Sequence, residues 1–379
     1  MKNIKPFSID IPETTLLDLK QRLNHLRWPD EIANSGWDYG ANSDYLKSLM
    51  AYWKTDFNWR KQEARLNTFN HFIANIDGLD IHFIHARGKG PNPIPLILTH
   101  GWPSSFIEMT KIIPLLTEGE QSFDVIVPSL PGFGFSDRPH ERGCDVQKIS
   151  ALWFKLMTEV LGYPKFCAHG ADWGVSISAR LGFMYPEQVM GIHTTTVTGG
   201  TPGQPYPGTT PASAAELQFL DRRAAWVKKE GAYAHAQSTT PQTLAYGLND
   251  SPLGLAALLV EKFRSWSDCQ DDIESRFSKD ELLTLITLYW ATETIGSSMR
   301  LYCEYKRNVW TMGPDEKIAV PCAVACFAQD NAPPIREWAE RFYNIQRWTE
   351  FARGGHFPAL EEPELLAEDI KTFFYSLKR

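Results

Sequence analysis

Residues 169–174 read His-Gly-Ala-Asp-Trp-Gly, and the spacing of the two glycines constrains the fold more than any other feature of the chain. Glycine on either side of Ala171-Asp172-Trp173 permits a turn too tight for flanking side chains, which thrusts the central residue out between a strand and a helix. The flanks suit that context. Lys165 to Ala168 reads as a short buried strand leading in, and Val175 to Tyr185 as a helix leading out that ends at Pro186. The same spacing ordinarily carries a serine nucleophile; here it carries Asp172. A carboxylate needs no general base to attack at neutral pH, so it bonds to carbon directly and forms an alkyl ester that water must then hydrolyse. That chemistry suits a strained ether or an alkyl halide, not an amide.

The chain around this turn alternates strand and helix patterns. Phe72, Ala74 and Ile76 alternate up to Asp77-Gly78, and Leu79, Ile81 and Phe83 alternate after it, which predicts a hairpin. Apolar runs at Ile94 to Leu98, Val125 to Val127, Phe166 to Ala168 and Cys322 to Phe327 suit strands buried on both faces, with helical patterns at Phe106 to Leu116 and Val146 to Leu161. The alternation argues an α/β fold with a mainly parallel sheet. Residues 1–70 are polar, tryptophan-rich and helical in pattern, and read as an N-terminal bracing extension. Gly199 to Pro211 is too rich in Gly and Pro for regular structure, and the reading from Ala212 to about Met312 is almost all helical. Residues 71–198 and 313–379 therefore form the core, interrupted by an inserted helical lid over 199–312.

Bulk properties exclude several classes. The 379 residues carry 38 Lys plus Arg against 45 Asp plus Glu, a net charge of −7 without basic runs, which disfavours nucleic acid. No apolar run approaches the roughly 18 residues needed to cross a bilayer, and the N-terminus has no apolar signal core, so a cytoplasmic, soluble protein is expected. Of the six cysteines, only Cys322 and Cys326 are close, and they read as buried thiols in a strand. Gly132-Phe133-Gly134 follows Leu130-Pro131 and lacks a third glycine, so no dinucleotide site is expected.

Hydrolysis of an ester on Asp172 requires further groups. The backbone N–H groups of Trp102, in Thr99-His100-Gly101-Trp102-Pro103 just past a strand, and of Trp173 are candidates for an oxyanion hole. His356, flanked by Gly354 and Gly355, falls late in the order nucleophile, acid, histidine and is the candidate base. Asp330, following the Cys322 to Phe327 run, is the candidate to orient the imidazole, ahead of Asp315 and Glu304.

Together, His100-Gly101-Trp102-Pro103, Ser129 to Ser136 (Ser-Leu-Pro-Gly-Phe-Gly-Phe-Ser), the Asp172 turn and Gly354-Gly355-His356-Phe357 resemble an α/β-hydrolase-fold epoxide hydrolase. Phe7 to Trp59 resembles the extension of the microsomal and juvenile hormone epoxide hydrolase branch, without the membrane-anchoring helix of its membrane-bound members. The resemblance implies conversion of a small-molecule epoxide to a vicinal diol, no cofactor and no metal, and leaves a homodimer open. It further implies that Tyr233 and Tyr302 assist ring opening, with Tyr305 as a fallback. Lid aromatics Trp226, Phe219 and Phe263 are candidates for substrate contact. A haloalkane or haloacid dehalogenase shares the aspartate nucleophile and is the first alternative. A non-catalytic ligand-binding protein on the same scaffold is the second.

Overall fold

A computed structural model describes residues 4–198, 213–313, 315–331 and 333–378; the Gly- and Pro-rich run at 199–211 lies outside them. Among the described residues nine strands form one sheet: β1 (Ile4–Phe7), β2 (His71–Ile76), β3 (Leu79–Ala86), β4 (Ile94–Thr99), β5 (Phe123–Pro128), β6 (Phe166–Gly170), β7 (Val189–Thr194), β8 (Ile318–Phe327) and β9 (Tyr343–Phe351). Their spatial order is β1-β2-β3-β5-β4-β6-β7-β8-β9. The first four in that order pair antiparallel, and all pairs from β5 to β9 are parallel. The β2–β3 hairpin turns at Asp77-Gly78, where both residues have positive φ (52° and 85°), as a two-residue turn matched to strand twist requires.

The apolar runs form strands because both faces of the sheet are covered. Ile97, Ile126, Phe166 and Ala168 enter one core, while Leu96, Leu98, Val125, Val127 and Cys167 enter the other. Alternate residues of one strand thus supply opposite cores, and the run needs no polar face. Helix Trp173–Met184, emerging from β6, is buried over most of its circumference and is correspondingly apolar. Residues 214–307, between β7 and β8, are helical, with helices Ala214–Glu230, Ala232–Thr239, Pro252–Trp266, Lys279–Thr292 and Ile295–Arg307 among them.

The N-terminal region differs from its helical reading at one point. Ile4–Phe7 extends the sheet as an edge strand, pairing with β2, before helices Glu13–Leu23, Ser43–Thr55 and Trp59–Leu66. Four residues containing Pro6 make too weak a strand signal to read, and Pro6 is tolerated because it stands at the edge. The three helices lean on the inserted block. Trp53 Nε1 donates to Thr287 Oγ1 at 3.1 Å, the Tyr52 hydroxyl donates to Asp280 at 3.0 Å, and Arg22 pairs with Asp250 at 2.6 Å. Among the described residues, no helix is long and apolar enough to cross a membrane.

One buried ionic cluster ties the C-terminal helix Pro363–Ser376 to the sheet. Asp369 accepts from His193 (3.0 Å), from Arg347 Nε (2.7 Å) and Nη2 (2.5 Å), and from Thr349 (2.7 Å), and His193 in turn contacts His169 at 3.0 Å. Burial alone would raise this carboxyl; the His193 and Arg347 contacts hold it well below the ordinary aspartate range. A carboxyl depressed in the folded state contributes stability above its unfolded pKa of about 4, and that contribution is lost as pH falls. Asp369→Ala is expected to cost about 3 kcal/mol in urea unfolding at pH 7, because it strands a buried imidazole and a guanidinium. The deficit should shrink below about pH 4. A variant as stable as wild type at pH 7 would show that the cluster adds nothing.

Candidate active site

Asp172 stands between β6 and helix Trp173–Met184 with φ 50° and ψ −118°, a backbone region costly to a residue with a side chain. The surrounding glycines leave no alternative. A Cβ on Gly170 would lie 2.0 Å from the Gly174 carbonyl, one on Gly174 2.1 Å from the Thr99 carbonyl, and one on Gly101 2.3 Å from the Asp172 side chain. β4, β6 and the helix therefore converge on a carboxylate that nothing else displaces. Its Oδ1 accepts the Trp102 backbone N–H at 2.8 Å, and its Oδ2 lies 3.4 Å from His356 Nε2. Trp173 heads the following helix.

His356 sits on the loop after β9. Gly354 has φ 95°, and a Cβ on Gly355 would meet the Trp266 carbonyl at 2.6 Å, so both glycines are needed for the loop to pass this close. The His356 N–H donates to that same carbonyl at 2.8 Å. Glu361 accepts the backbone N–H groups of Asp268, Phe357 and Gly355 at 2.7, 2.9 and 3.0 Å, fixing the loop from behind. Asp330, three residues beyond β8, meets His356 Nδ1 at 2.7 Å. Burial would depress the imidazole, but the Asp330 and Asp172 carboxylates on its two nitrogens outweigh it and hold His356 well above the ordinary histidine range.

Tyr233 and Tyr302 come from two helices of the inserted block, Ala232–Thr239 and Ile295–Arg307. Their rings meet edge to face with centroids 5.8 Å apart. Trp102 stacks on Tyr233 (5.2 Å, 7°) and meets Tyr302 edge on (5.9 Å, 86°), while Trp173 meets Tyr302 at 4.8 Å. Both phenols are raised above their usual range, chiefly by burial and further by the Asp172 carboxylate, so both remain protonated donors at neutral pH. Tyr305, one turn on, faces Trp173 at 5.2 Å.

The structure thus gathers Asp172, His356, Asp330, Tyr233, Tyr302, Trp102 and Trp173. It spreads the three lid aromatics apart. Trp226 packs 6.3 Å from Trp266, Phe263 stacks on Phe357 at 4.2 Å beneath the His356 loop, and Phe219 packs on Trp338. Trp266 is more central than any of these, with its ring 4.9 Å from Tyr233 and 5.2 Å from His356. It was one tryptophan of 13 and carried no distinguishing motif.

Sequence reading assigned no role to two further residues, although His100 stands in the His100-Gly101-Trp102-Pro103 motif. His100 accepts the Leu130 N–H on Nε2 (3.1 Å) and contacts the Gly101 carbonyl through Nδ1 (3.0 Å), and burial pushes it down to about 4. A neutral His100 therefore joins the Trp102 loop to the loop containing Gly132 and Gly134. Glu108, buried under the Trp102 loop, is pushed up by burial to about 7. Its signal was an acid inside the apolar Phe106 to Leu116 run.

The comparisons with known proteins agree on one family. Residues 4–109 match the family described as epoxide hydrolase N terminus, and residues 96–369 match the alpha/beta hydrolase family. Epoxide hydrolase 1 of Sus scrofa is 38% identical, aligned over 100% of this chain and 90% of its own length. The chain belongs to the epoxide hydrolase family. Juvenile hormone epoxide hydrolase 1 of Ctenocephalides felis, another relative, is 35% identical over 99% of this chain and 88% of its own. Two solved structures match throughout: juvenile hormone epoxide hydrolase of Bombyx mori (TM-score 0.87, 31% identity, 100% of this chain and 95% of that one) and the Aspergillus niger epoxide hydrolase (TM-score 0.86, 29%, 99% and 97%). This member of the family therefore has the α/β-hydrolase fold.

Proposed function

We propose that the protein converts a small-molecule epoxide to a vicinal diol through a covalent ester on Asp172. One observation carries the reading: the two oxygens of a single carboxylate are divided between a backbone donor and an imidazole. Oδ1, held by the Trp102 N–H, becomes the carbonyl oxygen of the ester. Oδ2 attacks an oxirane carbon in line with the breaking C–O bond. Tyr233 and Tyr302 hydrogen-bond the departing oxygen, and one of them supplies its proton. Helices 214–307 act as the lid that delivers these phenols.

Ester formation removes the negative charge from Asp172. His356 then keeps only Asp330 as a charged partner, and its imidazole moves down toward the neutral, basic form. It takes a proton from water, which adds to the Asp172 carbonyl carbon. The oxyanion is stabilised by the N–H groups of Trp102 and Trp173. On collapse the expelled alkoxide takes the proton held by His356 and leaves as the diol, and the proton remaining on the Asp172 carboxyl returns to the phenol that gave one up. The phenol pair favours an oxygen leaving group over halide, which has no use for a proton. A non-catalytic binding protein would have no need of the Asp330–His356 pair behind the carboxylate.

The test is a single turnover in heavy-oxygen water, with enzyme in excess over an aryl epoxide. The diol should carry only ordinary oxygen, and the heavy isotope should appear in a peptide containing Asp172. Heavy oxygen in the first diol would mean direct attack by water and would overturn the mechanism. Halide release from a haloalkane without diol formation from any epoxide would favour dehalogenation.

A further inference from the structure

Helix Pro252–Trp266 places a lysine where few lysines are found. The Lys262 side chain is 8% exposed, and its ammonium lies 3.1 Å from buried Glu230 and 2.8 Å from Glu261. The same ammonium lies 5.2 Å from the centroid of the Tyr233 ring and 5.4 Å from that of Trp266. Tyr233 stacks in parallel on Trp102 and touches Trp266 and Tyr302 with its remaining surroundings. Glu230 ends the helix that leads through Gly231 into Tyr233. Burying a cation between two carboxylates costs desolvation that an apolar side chain would avoid. A cation against the face of a ring is attracted to it, and more strongly when both are withdrawn from water.

We propose that Lys262 is a positioning residue for ring opening, acting through Tyr233. The ammonium, anchored by Glu230 and Glu261, sets the ring against Trp102 and stabilises the negative charge that the phenol gains as it gives up its hydrogen-bonded proton to the departing oxygen. The proton goes from the Tyr233 or Tyr302 hydroxyl to the alkoxide; Lys262 exchanges none. Its effect belongs to the alkylation step and not to hydrolysis of the ester.

This inference rests on Tyr233 being a donor to the epoxide oxygen, and a double-mutant cycle separates the two claims. Alkylation is followed by rapid quench and intact mass at saturating aryl epoxide. It is compared in wild type, Lys262→Met, Tyr233→Phe and the double variant. Lys262→Met is expected to slow alkylation about 10-fold with little change in KM and no change in the hydrolysis rate constant of the ester, and Lys262→Arg should restore most of the loss. In the Tyr233→Phe background the same change should cost less than about 2-fold. Because Lys262→Met strands Glu230, the paired variant Glu230→Gln/Lys262→Met removes both charges, and it should alkylate as slowly as Lys262→Met while remaining folded. Undiminished alkylation in the paired variant would overturn the inference. An equal loss in the Tyr233→Phe background would also overturn it, leaving Lys262 a packing residue. If Tyr233→Phe alone alkylates at the wild-type rate, the donor reading of Tyr233 falls and this inference falls with it.

Discussion

Asp172→Ala is expected to abolish diol formation, with turnover reduced on the order of 10⁶-fold, the scale seen when a covalent nucleophile is removed. No neighbouring group can substitute. Asp330 is occupied at 2.7 Å by His356, Glu108 is buried under the Trp102 loop and pushed up to about 7, and neither stands at the turn between β6 and the following helix. The fold should survive, because the strained φ of 50° is imposed by the packing of Gly170, Gly174 and Gly101 and not by the carboxylate. Diol yield by chromatography, with thermal unfolding alongside, checks both halves. A folded variant forming diol at near the wild-type rate would remove Asp172 from the mechanism.

His356→Gln is expected to separate the two chemical steps. The variant should consume one equivalent of epoxide and stop, with steady-state turnover down about 10³-fold or more, since a positioned base is worth up to about 10⁴. Intact mass should rise by the mass of the substrate, and the adduct should map to the peptide carrying Asp172. Wild type should show a related effect of pH. In the resting enzyme, two carboxylates hold His356 well above the ordinary range, whereas in the ester only Asp330 remains to do so. Hydrolysis needs the neutral imidazole, so its rate should fall as pH drops through the value His356 has in the ester, while alkylation persists to lower pH. A His356→Gln variant that turns over without accumulating an adduct would contradict the assignment of the base.

The sheet interior and the nucleophile turn were legible because each has a local cause. Runs such as Pro95-Leu96-Ile97-Leu98 are apolar throughout since both faces are covered, and Gly170 and Gly174 mark a turn that rejects every other residue. β7 and β9 were not legible. Val-Met-Gly-Ile-His-Thr contains a glycine and a histidine whose partners, Leu377, His169 and Asp369, are distant in sequence. Tyr343–Phe351 is an edge strand with mixed exposure and so lacks a clean apolar run. The same limit applied in the site. Asp330 could be placed from the strand before it, but Tyr233 and Tyr302 could not be selected from 13 tyrosines without the family resemblance. Their proximity arises from two helices meeting, which no local pattern encodes. The same reason hid Lys262 and left Trp266 indistinguishable from the other lid aromatics, whereas Glu108 carried a local signal as an acid in an apolar run.

The carbonyl of Trp266 accepts the His356 N–H, and that contact is made by backbone and not by side chain. It joins the loop after β9 to the helical stretch between β7 and β8, beside the Gly354 N–H that donates to the Asp268 side chain at 3.0 Å. Asp172, Asp330 and His356 all follow strands of the sheet, whereas both phenols hang from helices between β7 and β8. Because this backbone contact is indifferent to side-chain identity, positions of 214–307 outside the phenols, Lys262 and the side chains that bind the core can change, altering which oxirane the proposed lid admits, while His356 keeps its anchor. Such a layout makes the chain readily evolvable: new substrate preferences can be sampled by drift in one stretch without a loss of turnover in the other.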